Sequence, residues 1–118
     1  MLPLFSEYTS LDDARAAAMR CIRCTLSASR NHVVFGAGNP NAPLMLIGQG
    51  PSLTDDRTGL PYTGPAGEYL DTALQQAGLR RDEVWLTNLH KCVATKLNKE
   101  THRPEMRPPK ADEIAACD

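Results

Sequence analysis

The chain has 118 residues, of which 42% are hydrophobic and 23% charged, and its formal net charge at pH 7 is −1. This length allows one domain, and a net charge near zero gives no overall positive field, so any contact with DNA has to be local. No apolar run reaches membrane-spanning length, and the first residues lack the basic and apolar regions of a signal peptide. We therefore expect a cytoplasmic protein that does not associate with membranes.

The N-terminal part of the chain predicts one helix followed by less regular structure. Ser10 and Asp13 have the spacing of a capping box, and the alanine-rich segment after them favours a helix that begins near Leu11. Residues 25–31 are polar and predict an irregular segment. Residues 32–35 predict a short extended segment.

The middle of the chain predicts a strand–helix–strand unit. The apolar run 44–47 is followed by a glycine-rich loop, which is typical of a fully buried strand. A helix is predicted over 65–77, because Pro65 suits its first position and Gly78 suits the position just past its end. A second strand over 84–87 completes a βαβ unit, which implies two parallel strands.

The C-terminal part of the chain predicts a long loop over residues 93–110 and a helix that begins near Ala111. The loop is rich in lysine and arginine, and with His102 it could contact phosphates or simply be a solvated loop. A βαβ unit with two strands is only part of an α/β fold. Residues 1–118 are therefore interpreted as a single, incomplete domain, completed by a partner protein or by a further C-terminal segment.

Several residues in the loops after the predicted strands suit a flat, polar ligand, because ligands of open α/β sheets bind beyond the carboxyl ends of the strands. Tyr62 can stack on a planar ring, or it is an ordinary half-buried aromatic. Asn88 can match the edge of a nucleobase, or it forms a turn at a strand end. Gly48, Gly50 and Gly64 allow backbone N–H groups to approach a ligand closely.

The four cysteines form a second pattern. Cys21 and Cys24 are a Cys-x-x-Cys pair, whereas Cys92 and Cys117 stand singly. Where thiols stay reduced, four cysteines are better explained by metal or redox chemistry than by disulfides. One close pair with two distant cysteines suits a [4Fe-4S] cluster, and a structural zinc site or thiols without a metal are the alternatives.

Taken together, these motifs resemble the uracil-DNA glycosylase superfamily, specifically its iron–sulfur family 4 and the UdgX-like relatives. The similarity covers about residues 21–117, and the motifs stand in the same order and at similar spacing. The matching segments are residues 21–24, 34–40, 48–52, 55–57, 59–67, 87–92 and 113–117.

The resemblance implies a three-layer, Rossmann-like α/β fold with a parallel sheet, here truncated before the last strands. It implies that the protein removes uracil from DNA by hydrolysis of the N-glycosidic bond, on a base flipped out of the DNA. Tyr62 would stack on the uracil, and Asn88 would hydrogen-bond its edge. The loop Gly48–Ser52, with Gln49 and Gly50, would hold the hydrolytic water and approach the glycosidic bond, and Gly48 and Gln49 would also contact the substrate. A [4Fe-4S] cluster with a structural role would be ligated by the four cysteines, Cys21, Cys24, Cys92 and Cys117.

Three features differ from the family pattern. Gln49 stands where relatives carry a glutamate, and an amide can position water but cannot take its proton. The chain ends before the later histidine motif of the family. The segment between Cys92 and Cys117 is long, as in the UdgX-like group, but the residues around His102 do not match the motif of that group. The alternative interpretation is therefore a catalytically impaired uracil- or DNA-binding module, or a subunit completed by another chain.

Overall fold

The computed structural model describes residues 8–117, so the N-terminal residues tested above for signal-peptide features lie outside the described part. The chain is of the α/β class, as predicted, and no helix in residues 8–117 is long and apolar enough to cross a membrane. In chain order, the elements are α1 (Leu11–Met19), α2 (Leu26–Ser29), β1 (Ala37–Gly38), β2 (Met45–Gly48), α3 (Leu53–Thr58), α4 (Pro65–Gln76), a 3-10 turn (Arg81–Glu83), β3 (Trp85–Asn88), β4 (Thr95–Leu97), β5 (Pro104–Met106) and α5 (Ala111–Cys117).

The main sheet contains three strands in the order β1-β3-β2. Strands β2 and β3 are parallel, with Met45 opposite Trp85 and Gly48 opposite Asn88, which confirms the predicted parallel pair. Strand β1 is antiparallel to β3. Because β2 and β3 end at the same edge of the sheet, the loops that follow Gly48 and Asn88 begin side by side.

Helix α4 joins the two parallel strands and covers one face of the sheet. Pro65 lies in its first turn, and Gly78 follows its end with a φ of +75°, as the sequence predicted. Leu74 packs against Val84 and Leu86, which are both fully buried. Burying each such side chain contributes about 1.5–3 kcal/mol, so this contact holds the strand–helix–strand unit together.

The run predicted as a strand over residues 44–47 does form strand β2, but the prediction that this strand is fully buried is wrong. Met45 and Ile47 are 54% and 58% exposed, whereas Leu46 packs against the core under α4. Strand β2 lies at the edge of the sheet, and its neighbour on one side is β3. The alternate residues of this edge strand therefore face away from α4 and are left open.

Three other segments differ from the sequence predictions. The polar segment 25–31 contains the short helix α2, because Leu26 is buried against Val33 and Cys92. Strand β1 lies after residues 32–35 rather than within them. Residues 93–110 contain the antiparallel hairpin β4–β5 rather than a continuous loop.

The hairpin is held to α5 by a buried ion pair. Arg107 donates from both terminal nitrogens to the two carboxylate oxygens of Glu113, each at 2.7 Å, and its Nε donates to the carbonyl of Thr95 at 3.0 Å. Glu113 is 1% exposed and also accepts a hydrogen bond from the backbone N–H of Lys110 at 2.8 Å. The hydrogen bonds from Arg107 hold the pKa of Glu113 at about 2, although burial alone would raise it.

We expect this pair to make the stability of the fold depend on pH. The folded-state pKa of Glu113 is about 2 and its ordinary value is 4.5, so the stabilisation is complete above about pH 4.5 and is lost as the pH falls toward 2. The shift corresponds to roughly 3 kcal/mol. Urea unfolding of the wild type and of Glu113→Gln between pH 2 and 7 should show a difference in unfolding free energy that shrinks below pH 4.5.

Glu100→Gln is the matched control, because Glu100 is an exposed carboxylate at the tip of the same hairpin. Its stability should follow the wild-type pH curve. Parallel pH curves for the wild type and Glu113→Gln would contradict the assignment.

Candidate functional site

Three of the predicted site residues meet at the carboxyl end of the parallel strands. The hydroxyl of Tyr62 and the Oδ1 atom of Asn88 lie so close to the Cα atom of Gly48 that a side chain at position 48 would overlap both. Asn88 is 3% exposed. The structure therefore brings together Gly48, Tyr62 and Asn88, which the sequence singled out from three separate motifs.

Tyr62 is held with its ring against the core and its backbone in an unusual conformation. The ring packs on the cluster that contains Leu74 and Leu86, and the hydroxyl donates to the carbonyl of Thr87 at 3.3 Å. Burial, and then the carboxylate of Asp55, raise the pKa of Tyr62, so the hydroxyl stays protonated at neutral pH. Its φ is +56°, in the left-handed region that a non-glycine residue seldom adopts.

Two backbone hydrogen bonds join the end of β2 and the loop after it to the residues that follow β3. The N–H groups of Leu89 and His90 donate to the carbonyls of Gly48 and Gln49, at 2.9 and 3.1 Å. These bonds fix the backbone of the loop beside Asn88. The side chain of Gln49 is on the exposed side of the loop, so it lies within reach of solvent water.

His90 is a residue that the sequence did not single out for a role. Its ring lies against the Cα atom of Gly50, in the space that a side chain there would need, and it is 5% exposed. Its Nδ1 atom is 2.9 Å from the carbonyl oxygen of Cys92. The available signal was its position, halfway between Asn88 and Cys92, but nothing local shows that the loop at Gly50 crosses it.

Two buried carboxylates hold the surrounding loops and were also not predicted as such. Asp55 accepts from the N–H and the hydroxyl of Thr63, at 2.8 and 2.7 Å, and forms a capping box with Ser52 at the start of α3. Asp56 accepts from the N–H and the side-chain amide of Asn31, at 2.8 and 2.6 Å. The spacing of Ser52 and Asp55 is the sequence signal for α3.

All four cysteines line one small cavity between the end of α1, the segment after β3 and the end of α5. Arg30 donates to the sulfur of Cys92 at 3.4 Å, and the backbone N–H of Lys91 donates to the sulfur of Cys117 at 3.2 Å. Burial is the largest effect on both of these thiols and raises the pKa of each. Without a bound metal, Cys92 and Cys117 are therefore protonated at neutral pH.

The arrangement of donors can be compared with the two metal groups that the sequence suggested. Within residues 8–117, no group of three or more His, Cys, Asp or Glu side chains is arranged to hold a single metal ion. A [4Fe-4S] cluster spreads its thiolate ligands over separate irons, and N–H groups directed at the sulfurs are typical of its surroundings. A set of four thiols around a cavity, with N–H donors on two of them, fits that group.

The comparisons with known proteins agree with the motifs. The model of the Uracil DNA glycosylase superfamily matches residues 35–118. A type-4 uracil-DNA glycosylase of Thermotoga maritima is 36% identical over 98 residues, which are 83% of this chain and 46% of that protein. The proteins of the same name from Archaeoglobus fulgidus and Saccharolobus solfataricus are 34% and 36% identical over 108 and 109 residues. Each alignment covers 92% of this chain, with 50% and 46% of the respective relative.

The chain therefore spans about half the length of the curated relatives it matches. The family model nevertheless covers most of the chain, including the loop after β2, α4 and the segment that contains Asn88 and Cys92. These matches confirm the family that the motifs indicated. The chain belongs to the uracil-DNA glycosylase superfamily.

Proposed function

We propose that this chain takes part in removing uracil from DNA by hydrolysis of the N-glycosidic bond; the relatives that it matches are named type-4 uracil-DNA glycosylases. The observation that carries the proposal is the meeting of Gly48, Tyr62 and Asn88 at the carboxyl ends of two parallel strands. The substrate is DNA that contains uracil, with the base flipped out of the stack into the site, because an enzyme cannot reach the bond inside a duplex.

In this proposal, Asn88 and Tyr62 recognise the base. The side-chain amide of Asn88 is buried and provides both a donor and an acceptor, so it distinguishes uracil from cytosine at the edge of the ring. Tyr62 provides a face for stacking, which is worth about 1–3 kcal/mol per base. Because Gly48 has no side chain, no atom of residue 48 overlaps with the side chains of Tyr62 and Asn88.

The loop of Gln49 and Gly50 positions the attacking water. Water adds to C1′ of the sugar while the bond between C1′ and the base breaks, and the electron pair of that bond leaves with the uracil. The proton that the water loses passes to solvent, and the uracil anion takes up a proton after it departs. The amide of Gln49 orients water but does not take its proton. Most of the rate enhancement therefore comes from stabilising the departing uracil anion, for which hydrogen-bond donors such as the Asn88 amide are suited.

The four cysteines, Cys21, Cys24, Cys92 and Cys117, are proposed to ligate a [4Fe-4S] cluster, with zinc as the alternative. The cavity that they line connects three segments that are far apart in the sequence. When bound, the group supplies cross-links between these segments rather than redox chemistry. The role of the cysteines is to fix the segment 88–92, which carries Asn88.

We also propose that residues 1–118 form one incomplete domain of a three-layer, Rossmann-like fold. Two features of β2 support this proposal: it is an edge strand within the described residues, with one side of its backbone unpaired, and Met45 and Ile47 leave one face of it uncovered, whereas parallel strands are normally covered on both faces. A partner protein or a further segment of chain would add a strand at the edge of β2.

This proposal predicts a difference in amide hydrogen exchange. Amides of β2 that do not pair with β3 should exchange rapidly in the 118-residue chain and become protected once the fold is completed. Equally rapid exchange in the 118-residue chain and in the completed fold would contradict the proposal.

A second candidate function is a uracil- or DNA-binding module without efficient catalysis. The observation that favours it is Gln49, whose amide, unlike a carboxylate, cannot take a proton from the proposed water. This candidate predicts binding of uracil-containing DNA with no release of uracil.

The glycosylase proposal predicts abasic product from an oligonucleotide with one uracil, in single-stranded or duplex form. Asn88→Ala should lower kcat by about 10²–10³, the usual cost of removing one donor to a developing anion. Asn41→Ala, at an exposed position, should leave the rate unchanged. The measurement is alkaline cleavage of the abasic site followed on a denaturing gel.

The same assay separates the two candidate functions. If the wild type binds the uracil oligonucleotide but yields no product, and Gln49→Glu restores product, the chain is the binding module. If Asn88→Ala is as active as the wild type, the assignment of the base pocket is wrong.

The cluster proposal predicts iron and inorganic sulfide in equal amounts in protein purified without air, with a brown absorbance. Cys92→Ser should lose both, because Cys92 is the most buried of the four thiols and accepts the hydrogen bond from Arg30. Ser27→Ala, a change near Cys24 outside the ligand set, should keep both. Elemental analysis that finds zinc without iron would establish the alternative metal.

A further inference from the structure

Tyr62 occupies a backbone conformation that its own side chain does not favour. Its φ is +56°, and within residues 8–117 the only other non-glycine residue with a positive φ is His102. For an L-residue the left-handed region costs roughly 1–2 kcal/mol. Such a conformation persists only where surrounding groups hold it, and residues of this kind cluster at ligand sites.

One side chain holds the loop at three points. Arg81 donates from Nη2 to the carbonyl oxygen of Tyr62 at 2.6 Å and to that of Gly67 at 3.2 Å, and from Nη1 to that of Pro61 at 3.4 Å. Its Nε pairs with Asp71 on α4. The guanidinium therefore connects the loop before α4 to the first two turns of that helix.

The same contacts explain why position 67, in the first turn of α4, is a glycine. A Cβ atom at Gly67 would overlap the carbonyl of Tyr62 and lie 2.9 Å from Nη2 of Arg81. The loop thus crosses directly over the helix, and Arg81 fills the space that is left. On the other side of the loop, Asp55 holds Thr63, but Asp55 also forms the capping box of α3 with the N-cap residue Ser52.

We infer that Arg81 is a positioning residue for the base pocket: it holds the backbone of Tyr62 in the left-handed conformation that places the ring beside Gly48 and Asn88. That the pocket binds a base rests on the proposed function. The effect of Arg81 on the loop conformation does not depend on that function. Lysine cannot replace Arg81, because one ammonium group does not provide the planar fork that reaches three carbonyl oxygens.

The first test measures the loop itself. In Arg81→Met and Arg81→Lys, amide hydrogen exchange at Thr63, whose N–H donates to Asp55, should become at least about tenfold faster, while exchange in β3 stays unchanged. Arg80→Met is the matched control, since Arg80 is the neighbouring arginine, is 77% exposed in its side chain and pairs with Asp82. Unchanged exchange in Arg81→Met, or equal effects in Arg80→Met, would overturn the inference.

The second test uses a glycine at position 62. Because glycine adopts a positive φ freely, Arg81→Met should lower the unfolding midpoint less in a Tyr62→Gly background than in the wild type. Equal losses in both backgrounds would mean that Arg81 supports the fold without acting on the conformation of residue 62.

The third test is kinetic. Stacking is present in both the bound and the transition states, so Arg81→Met should raise KM for uracil-containing DNA by about tenfold with a smaller change in kcat. A fall in kcat alone would overturn the positioning role. If the wild type releases no uracil, the proposed function fails, and the exchange and unfolding measurements still decide the role of Arg81.

Discussion

The parallel pairing of β2 with β3 is the constraint on which the candidate site depends. It places Gly48 opposite Asn88, and the absence of a side chain at Gly48 lets the Asn88 amide and the Tyr62 hydroxyl come within contact of its Cα atom. A shift of the register by one residue would move Asn88 to the other face of the sheet. The site is therefore a property of the strand register, which is set in turn by the packing of α4 on Leu86.

Around this pair of strands, charged side chains hold irregular backbone in place. Asp55 and Arg81 hydrogen-bond to the loop that carries Tyr62 from its two sides. The ion pair of Glu113 and Arg107 holds the hairpin against α5. Within residues 8–117, no buried side-chain nitrogen or oxygen lacks a hydrogen-bond partner. Replacing one member of such a pair with an apolar residue leaves the other member buried without a hydrogen bond, which costs about 1–3 kcal/mol.

The features predicted well from the sequence are those with a local signal. Helix α4 is marked by Pro65 and Gly78, whose backbone preferences fix where it begins and ends. The sequence does not predict the hairpin β4–β5, because its strands are only three residues long and its position is fixed by the ion pair of Arg107 with Glu113 on α5, which no residue pattern of the hairpin itself reveals. The exposure of Ile47 could not be predicted, because the sequence pattern of a short apolar run does not distinguish a central strand from an edge strand. The roles proposed for the pocket residues come from the resemblance, whereas their proximity comes from the structure.

The segment 88–92 joins the two parts of the site. Asn88 lies beside Gly48 and Tyr62, His90 lies beneath Gly50, and Cys92 lines the cysteine cavity, so alternate residues of one short stretch reach three parts of the candidate site. Ligation of Cys92 would restrain this stretch and, through the ring of His90, the loop that is proposed to hold water. The proposed hydrolysis needs no electron transfer, so the role proposed for a cluster is mechanical: it would cross-link the segments that support Asn88.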